Sequence, residues 1–303
     1  MDAPLNRENY PKGIILAGGS GSRLAPMTAV VNKHLLPIYD KPVIYYSLTT
    51  LMLASIRDIL LISAPAQLSQ FRGLMGDGSQ WGIRISYAEQ PSPEGLAQAL
   101  TIGADFIAGD PVALILGDNF FYATDLSTLL PAERAATKGA TVFSYQVRTP
   151  ERYGVLVFDE SGKPIDIEEK PKAPKSHDAV TGLYFFDTRA VDFARRLQKS
   201  ARGEYEITDL NRLYLKDGTL RVCRLGRGAV WFDAGTPDSL HQASTFVELI
   251  QTRSNLGIAF PEEVALRLGY IDLETFKAQT QQLRQTAYGQ YLQMVASEDE
   301  GRH

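Results

Sequence analysis

Three glycines, an arginine and a lysine follow a short apolar run near the start of the 303-residue chain, in the stretch GIILAGGSGSRLAPMTAVVNKHLLP from Gly13 to Pro37. Gly18, Gly19 and Gly21 leave the backbone bare, so its N–H groups can approach an anion closely. Arg23 offers a planar fork for phosphate oxygens and Lys33 a point charge on a long stem. Together they could hold a polyphosphate. The spacing is not that of the common phosphate loops. A P-loop needs Lys directly after its last glycine, where Ser22 stands, and a dinucleotide fingerprint needs glycine where Leu24 stands. A solvated turn with two surface charges is the plain alternative, and the stretch alone leaves the two readings level.

The elements that must position these groups alternate. Ile14–Ala17, Ile59–Ser63, Ile83–Tyr87 and Val112–Leu116 read as strands buried on both faces, rich in Ile, Leu and Val with little polar alternation. Helices are expected at Pro42–Ala54, Gln67–Leu74 and Gly95–Ala104. Strand and helix in alternation imply a parallel sheet covered on both sides. Ligands of such sheets sit at the carboxyl ends of the strands, where the glycine loop and Gly117-Asp118-Asn119 both lie. After about Gly139 the texture changes. Ala140–Val147, Gly154–Phe158, Pro164–Glu169 and Val180–Phe186 suggest a mixed or antiparallel extension, with turns at DESGKP and KPKAPKS. Lys170 precedes Pro171 and is expected to be extended. Helices follow at Thr188–Gln198 and Glu206–Lys216. Leu220–Leu225 and Ala229–Phe232 read as a strand pair joined through Gly226-Arg227-Gly228. Pro237–Gln251 and much of Pro261–Ala296 are helical in pattern, and the final SEDEGRH is expected to fray.

Composition excludes several classes. Net charge is -4, so no basic surface for nucleic acid is advertised. Cys223 is the only cysteine, which rules out an internal disulfide and a Cys-rich zinc site. The polar opening MDAPLNRENYPKG has no apolar core of a signal peptide, and no apolar run reaches the length of a membrane span. A soluble cytoplasmic protein with no membrane partner is the expectation.

The stretch LAGGSGSRLAPMTAVVNKHLLPIYDKPVIYY resembles the signature of the sugar-1-phosphate nucleotidylyltransferases. YAEQPSPEGLAQAL, LILGDNFFY, PERYGVLVFD, IEEKPKAPKSHDAVTGLYFFD, RGEYEITDLN and GRGAVWFDAGTPDSL are similar, in the same order, to segments of its glucose-1-phosphate thymidylyltransferase branch, from about Lys12 to Leu292. The resemblance implies a Rossmann-like, mostly parallel α/β sheet flanked by helices, with a mixed-strand sugar-binding extension and a C-terminal helical appendage. It implies a nucleotidyltransferase domain over 12–255, divided into a nucleotide-binding part of about 12–138 and a sugar-phosphate-binding part of about 139–255, and an appendage over 256–296. The implied reaction joins dTTP and glucose 1-phosphate, gives dTDP-glucose and pyrophosphate, and opens dTDP-deoxysugar biosynthesis such as that of dTDP-rhamnose. The implied assembly is a homotetramer.

By the same resemblance Asp118 and Asp233 are magnesium ligands, Arg23 and Lys33 hold the triphosphate, and Lys170 holds the sugar phosphate. Leu16, Gly18, Gly19, Gly21 and Ser22 line the nucleotide, Gln90 reads the pyrimidine edge and Gly95 gives the base room. Asn119, Tyr153, Gly154, Glu169, Val180 and Trp231 surround the hexose. Taken singly, each has a plainer reading. Asp118 and Asp233 suit turns, Gln90 a loop before Pro91, Glu169 and the basic residues a solvated surface, and Tyr153 and Trp231 a core.

The chain departs from the pattern in places. Ser22 replaces Thr, His34 replaces Gln beside the lysine, and Ala234 replaces the Thr of DTG. Ala123 and Thr124 stand where Gly and His are usual. Ala123 and Ser127 depart from the pattern of the family's second, intersubunit nucleotide site, whereas Arg227 and Glu263 match it. Weakened or altered feedback with retained catalysis is the expectation. Three alternatives stay open on the residues: a relative using UTP or another sugar phosphate, a nucleotide-sugar-dependent glycosyltransferase, and a catalytically silent regulatory homologue.

Overall fold

The computed structural model describes residues 11–301. Most of the polar N-terminal stretch and the last two residues, where fraying is expected, lie outside the described residues. The strands are β1 (Lys12–Leu16), β2 (Pro37–Ile38), β3 (Lys41–Pro42), β4 (Asp58–Ser63), β5 (Arg84–Glu89), β6 (Val112–Leu116), β7 (Asn119–Tyr122), β8 (Ala140–Gln146), β9 (Gly154–Phe158), β10 (Pro164–Glu169), β11 (Asp178–Phe186), β12 (Leu220–Arg224) and β13 (Val230–Asp233). The α-helices are α1 (Val43–Leu53), α2 (Leu68–Met75), α3 (Gln98–Ile102), α4 (Ala104–Ile107), α5 (Leu126–Ala136), α6 (Ala190–Arg195), α7 (Ile207–Lys216), α8 (Pro237–Ser254), α9 (Pro261–Arg267), α10 (Leu273–Thr280) and α11 (Ala287–Glu300).

Four strands in the order β5-β4-β1-β6 are parallel and in step, with Lys12 opposite both Asp58 and Val112. β4, β1 and β6 are buried on both faces because alternate residues serve two helical layers, whereas β5, expected to be buried likewise, lies at the sheet edge and is mostly half-buried. Ile15, Leu61 and Ile115 join the core under α1 and α2, and their neighbours Ile14, Leu60 and Leu114 the core under α3, α6 and α7. The chain leaves β1 for β4 and β5 on one side and then returns to β6 on the other. Such a reversal opens a crevice at the carboxyl ends of the two strands that flank it. Gly18 lies just beyond β1 there, and Asp118 just beyond β6.

Beyond β6 the sheet becomes mixed. β11 runs antiparallel to β6, with Leu183 opposite Ile115, and to β9 at Ala179, and it pairs with β8 at both of its ends, Asp178–Val180 and Tyr184–Phe186. A register shift between Val180 and Tyr184 interrupts the pairing with β8. The last helices pack on a small core of their own, around Phe260, Phe276 and Leu292. Among the described residues no helix is long and apolar enough to cross a membrane.

Four further expectations are corrected. The strands on either side of Gly226-Arg227-Gly228 do not pair with each other. β12 joins β8 in parallel and β13 joins β7 in a separate ribbon, because each finds a longer-range partner. The helix expected at Gly95–Ala104 starts only at Gln98. Gly95 takes φ +110°, which no helix admits, and the chain breaks again at Gly103, where a Cβ would press on Ile14. Lys170 is not extended but takes φ +43°. Its N–H still donates to Tyr153 O at 2.9 Å, so the chain must leave β10 by reversing at that residue. The tail does not fray before Glu300, because Arg267 pairs with Glu298 and Asp299 and Lys277 pairs with Glu300.

Candidate active site

A cavity of about 420 Å³ opens at the β1–β6 crevice and runs to the ends of β9 and β10 and the start of α7. Arg23, Lys33, Asp118, Lys170 and Asp233 all line it. So do Leu16, Gly18, Gly19, Gln90, Gly95, Asn119, Tyr153, Gly154, Glu169, Val180 and Trp231. Gly21 and Ser22 stand outside its wall. Gly21 adopts φ +63° to start a 3-10 turn at Ser22–Leu24, its carbonyl accepts the Thr28 hydroxyl at 2.8 Å, and Ser22 faces solvent.

The phosphate end is built from two turns and a ribbon. Asn32 caps a 3-10 turn over Lys33–Leu35. Lys33 leaves that turn to form an ion pair with Asp118. Burial opposes ionisation of Asp118, but the Lys33 charge and hydrogen bonds from Lys33 and Asn119 outweigh it and hold the carboxyl well below its usual range. Asp233 reaches the same place through the β7–β13 ribbon. It lies opposite Asn119, and the next residue, Ala234, donates its N–H to Asp118 O at 2.9 Å. Burial and the Asp118 charge push Asp233 upward, against Lys33, Arg23 and Arg152. A buried carboxylate on Asp118 and a half-buried one on Asp233, repelling each other across a cavity, suit a hard cation. Among the described residues no group of three metal-ligating side chains occurs, so an ion here would complete its shell with water and substrate oxygens.

Asn119 organises this corner. Its Oδ1 accepts Trp231 Nε1–H at 2.7 Å and Gly182 N–H at 2.9 Å, and its Nδ2 donates to Asp118 Oδ1 at 3.1 Å. Trp231 is thereby fixed edge-on to Tyr153, with ring centroids 5.1 Å apart. Gly182 is required, since a Cβ there would lie 2.6 Å from Asn119 Oδ1.

At the other end Glu169 accepts the Thr208 hydroxyl from α7. Its second oxygen lies 3.7 Å from both Lys170 Nζ and Arg202 Nη2. Gly154 packs closely on the hydroxyl that this carboxylate accepts, because a Cβ would sit 3.1 Å from Thr208 Oγ1. Gly95 also allows a close packing. A Cβ on it would meet Tyr205 O at 2.4 Å, so only glycine lets the β5–α3 loop rest on the loop before α7.

Three more residues line the cavity without a role assigned from the sequence. Arg152 and Arg202 read as solvated charges among polar neighbours, yet both line the cavity. Arg202 is held there by Glu206 at 2.9 Å and Glu204 at 2.8 Å. His34 is buried. Burial, reinforced by the Lys33 charge, pushes its imidazole down to about 3, so it is neutral. Asn32 donates through Nδ2 to Ala17 O at 3.3 Å and accepts His34 N–H on Oδ1 at 2.8 Å. His34 Nδ1, 2.6 Å from that same oxygen, therefore carries the ring proton, which leaves Nε2 as an acceptor beside Gly117.

The nucleotidyl transferase family model matches residues 12–249. A glucose-1-phosphate thymidylyltransferase of Neisseria meningitidis is 57% identical over 281 residues, which cover 93% of this chain and 98% of that one. Another, from Xanthomonas campestris, is 55% identical over 285 residues, covering 94% and 97%. A Bacillus anthracis crystal structure described as a candidate glucose-1-phosphate thymidylyltransferase, in complex with sucrose, superposes with a TM-score of 0.72 at 42% identity, over 78% of this chain and 94% of that chain. A UDP-glucose pyrophosphorylase complexed with UDP-glucose superposes at 0.71 with 23% identity, over 81% of this chain and 100% of that chain, a likeness of fold alone. The chain belongs to the nucleotidyl transferase family and, within it, to the glucose-1-phosphate thymidylyltransferases.

Proposed function

We propose that the protein transfers a deoxythymidylyl group from dTTP to α-D-glucose 1-phosphate, giving dTDP-glucose and pyrophosphate. One observation carries the reading. Both acids, the Arg23–Lys33 pair and the Glu169–Lys170 pair border a single cavity at the reversal of strand order. The sugar phosphate is already an anion near neutral pH, so the reaction needs no general base. A phosphate oxygen of the sugar attacks the α-phosphorus, a new P–O bond forms, and the bond to the departing pyrophosphate breaks. The barrier is mutual repulsion and the extra charge of the transition state, which positioned cations lower.

Arg23 and Lys33 bind the triphosphate, and Arg23 steadies the leaving pyrophosphate. Lys170, with Arg202 beside it, holds the attacking phosphate. Asp118 and Asp233 would hold Mg²⁺, which when bound neutralises phosphate oxygens. Glu169 accepts hydrogen bonds from sugar hydroxyls, and Tyr153 and Trp231 wall the hexose. Gln90 reads the pyrimidine edge over Gly18. Residues 12–255 form the catalytic unit and 256–296 an appendage, in a homotetramer.

A panel of nucleoside triphosphates, each incubated with glucose 1-phosphate and Mg²⁺, tests the proposal. The expected result is pyrophosphate release fastest with dTTP. No release with dTTP, under conditions where the protein is folded, would refute it. UTP in the same panel tests the second reading, because the thymine and uracil edges that face Gln90 are identical.

A further inference from the structure

The Gln90 amide is not free to choose its orientation. The residue follows β5, is 4% exposed, and anchors its backbone N–H on Ser63 O at 2.8 Å. Its Nε2 donates to Gln98 Oε1 at 2.7 Å. Gln98 is the first residue of α3, and the same oxygen accepts the backbone N–H of Glu94 at 3.1 Å. The second bond decides the first. A backbone N–H can only donate, so the Gln98 atom facing it must be oxygen. An oxygen there requires the nitrogen of Gln90 to face it. The Gln90 oxygen is then turned over Gly18, whose absent Cβ would lie 2.3 Å from it. Gln98 is itself steadied by Nε2 against Glu94 Oε2 at 3.4 Å, and Glu94 by Lys199 at 2.8 Å.

We propose that Gln98 is a positioning residue that sets base selectivity: it locks the Gln90 amide in the orientation that accepts thymine or uracil and rejects cytosine. The inference rests on the reading of Gln90 as the group that meets the base. Thymine and uracil offer an N3–H donor beside carbonyl acceptors. The fixed Gln90 oxygen takes that N3–H, and the remaining N–H of Gln90 serves a carbonyl. Cytosine presents the reverse, an unprotonated N3 beside an amino group. A free amide would serve it by a half-turn about its last torsion, which is soft. The locked amide instead sets acceptor against acceptor and donor against donor, and selectivity arises from that repulsion.

Steady-state kcat/KM for dTTP and dCTP in wild type, Gln98→Met and Gln98→Glu tests this. Met keeps the length and removes the acceptor, whereas Glu keeps it. The dTTP-to-dCTP ratio is expected to fall about tenfold in Gln98→Met, the factor carried by one ordinary hydrogen bond, mainly through KM. Gln98→Glu is expected to stay near the wild-type ratio. If Gln98→Met does not fold, Gln98→Ala gives the same ratio to read. Equal losses for both nucleotides, with the ratio unchanged, would mean a merely structural role and overturn the proposal. Gln90→Leu separates it from the reading beneath. An unchanged KM for dTTP in that variant overturns both, whereas a raised KM there with an unmoved ratio in Gln98→Met overturns only the role of Gln98.

Discussion

Lys33 and Asp118, separated by 85 residues in the chain, form a largely buried ion pair where β1 and β6 end. The pair keeps Asp118 ionised against a burial that opposes its charge. It also keeps a negative charge facing Asp233, and so preserves the imbalance that a cation would relieve.

Asp118→Asn retains the shape and removes that charge. Turnover is expected to fall about 10²–10³-fold, the usual loss for one electrostatic anchor of a transition state. Pyrophosphate release at saturating substrates checks it, with circular dichroism to confirm the fold. Wild-type turnover would remove Asp118 from the mechanism.

Lys170 combines an exposed, reaching side chain with a strained backbone at φ +43°. Strain of this kind persists where a side chain serves the site. Lys170→Ala and Lys170→Gly are both expected to lose turnover by at least about 10²-fold. Their stabilities should order against the usual rule. Glycine tolerates positive φ, so Lys170→Gly is expected to be the more stable of the two by about 1 kcal/mol. Urea unfolding measures this, and the opposite order would mean that Lys170 carries no strain.

Gly182→Ala forces a methyl against the Asn119 amide, which has no room to yield between Trp231 and Asp118. Overpacking of this kind costs about 1–3 kcal/mol. Loss of the Asn119–Trp231 hydrogen bond should also shift tryptophan fluorescence and raise KM for glucose 1-phosphate. A variant with wild-type stability and emission would show that the corner is looser than its distances indicate.

Lys41 ties β3 to α8 and to the segment before α9. It is 3% exposed, pairs with Asp40, reaches Gln251 Oε1 at 3.2 Å and sits 4.1 Å from the Phe260 ring centre. Burial pushes its pKa from 10.5 down to about 8, against the attraction of Asp40 and Glu262. The unfolded chain keeps this proton up to about pH 10.5. Between those values the unfolded state binds more protons than the native one, so stability rises with pH across that window. Relative to Lys41→Met, wild type is expected to gain on the order of 2–3 kcal/mol between about pH 7.5 and about pH 10.5. Denaturant midpoints at both pH values check it; no gain would place the Lys41 pKa at its ordinary value and a loss would place it above.

Local signals made part of this molecule legible. Val112–Leu116, Gly154–Phe158 and Pro164–Glu169 are bounded by turn residues and have the bounds their patterns suggest. The destination of a strand is not a local property. Gly226-Arg227-Gly228 reads as a hairpin turn, and only the long-range pairings of β12 with β8 and β13 with β7 overrule it. β7 itself is hidden beside the Asp-Asn turn signal, and α5 contains Pro131, which argues against a helix in any sequence reading. The site divides the same way. The glycine loop, Asp118 and Lys170 sit in recognisable strings. Arg152 and Arg202 lie in such strings too, PERYGVLVFD and RGEYEITDLN, but nothing in them marks a role, because an arginine among polar residues looks solvated until the folded loops bring it to a cavity. The His34 replacement becomes intelligible only with Asn32 beside it, which fixes its tautomer.

Direct displacement between two anions held in one cavity has a stereochemical signature. A single diastereomer of dTTP bearing sulfur on the α-phosphorus can be turned over with glucose 1-phosphate, and the product configuration read by phosphorus NMR. One in-line attack inverts that centre, and inversion is the expected result. Retention would require two displacements through a nucleotidylated side chain, and it would contradict a mechanism in which the residues of this site only position charge.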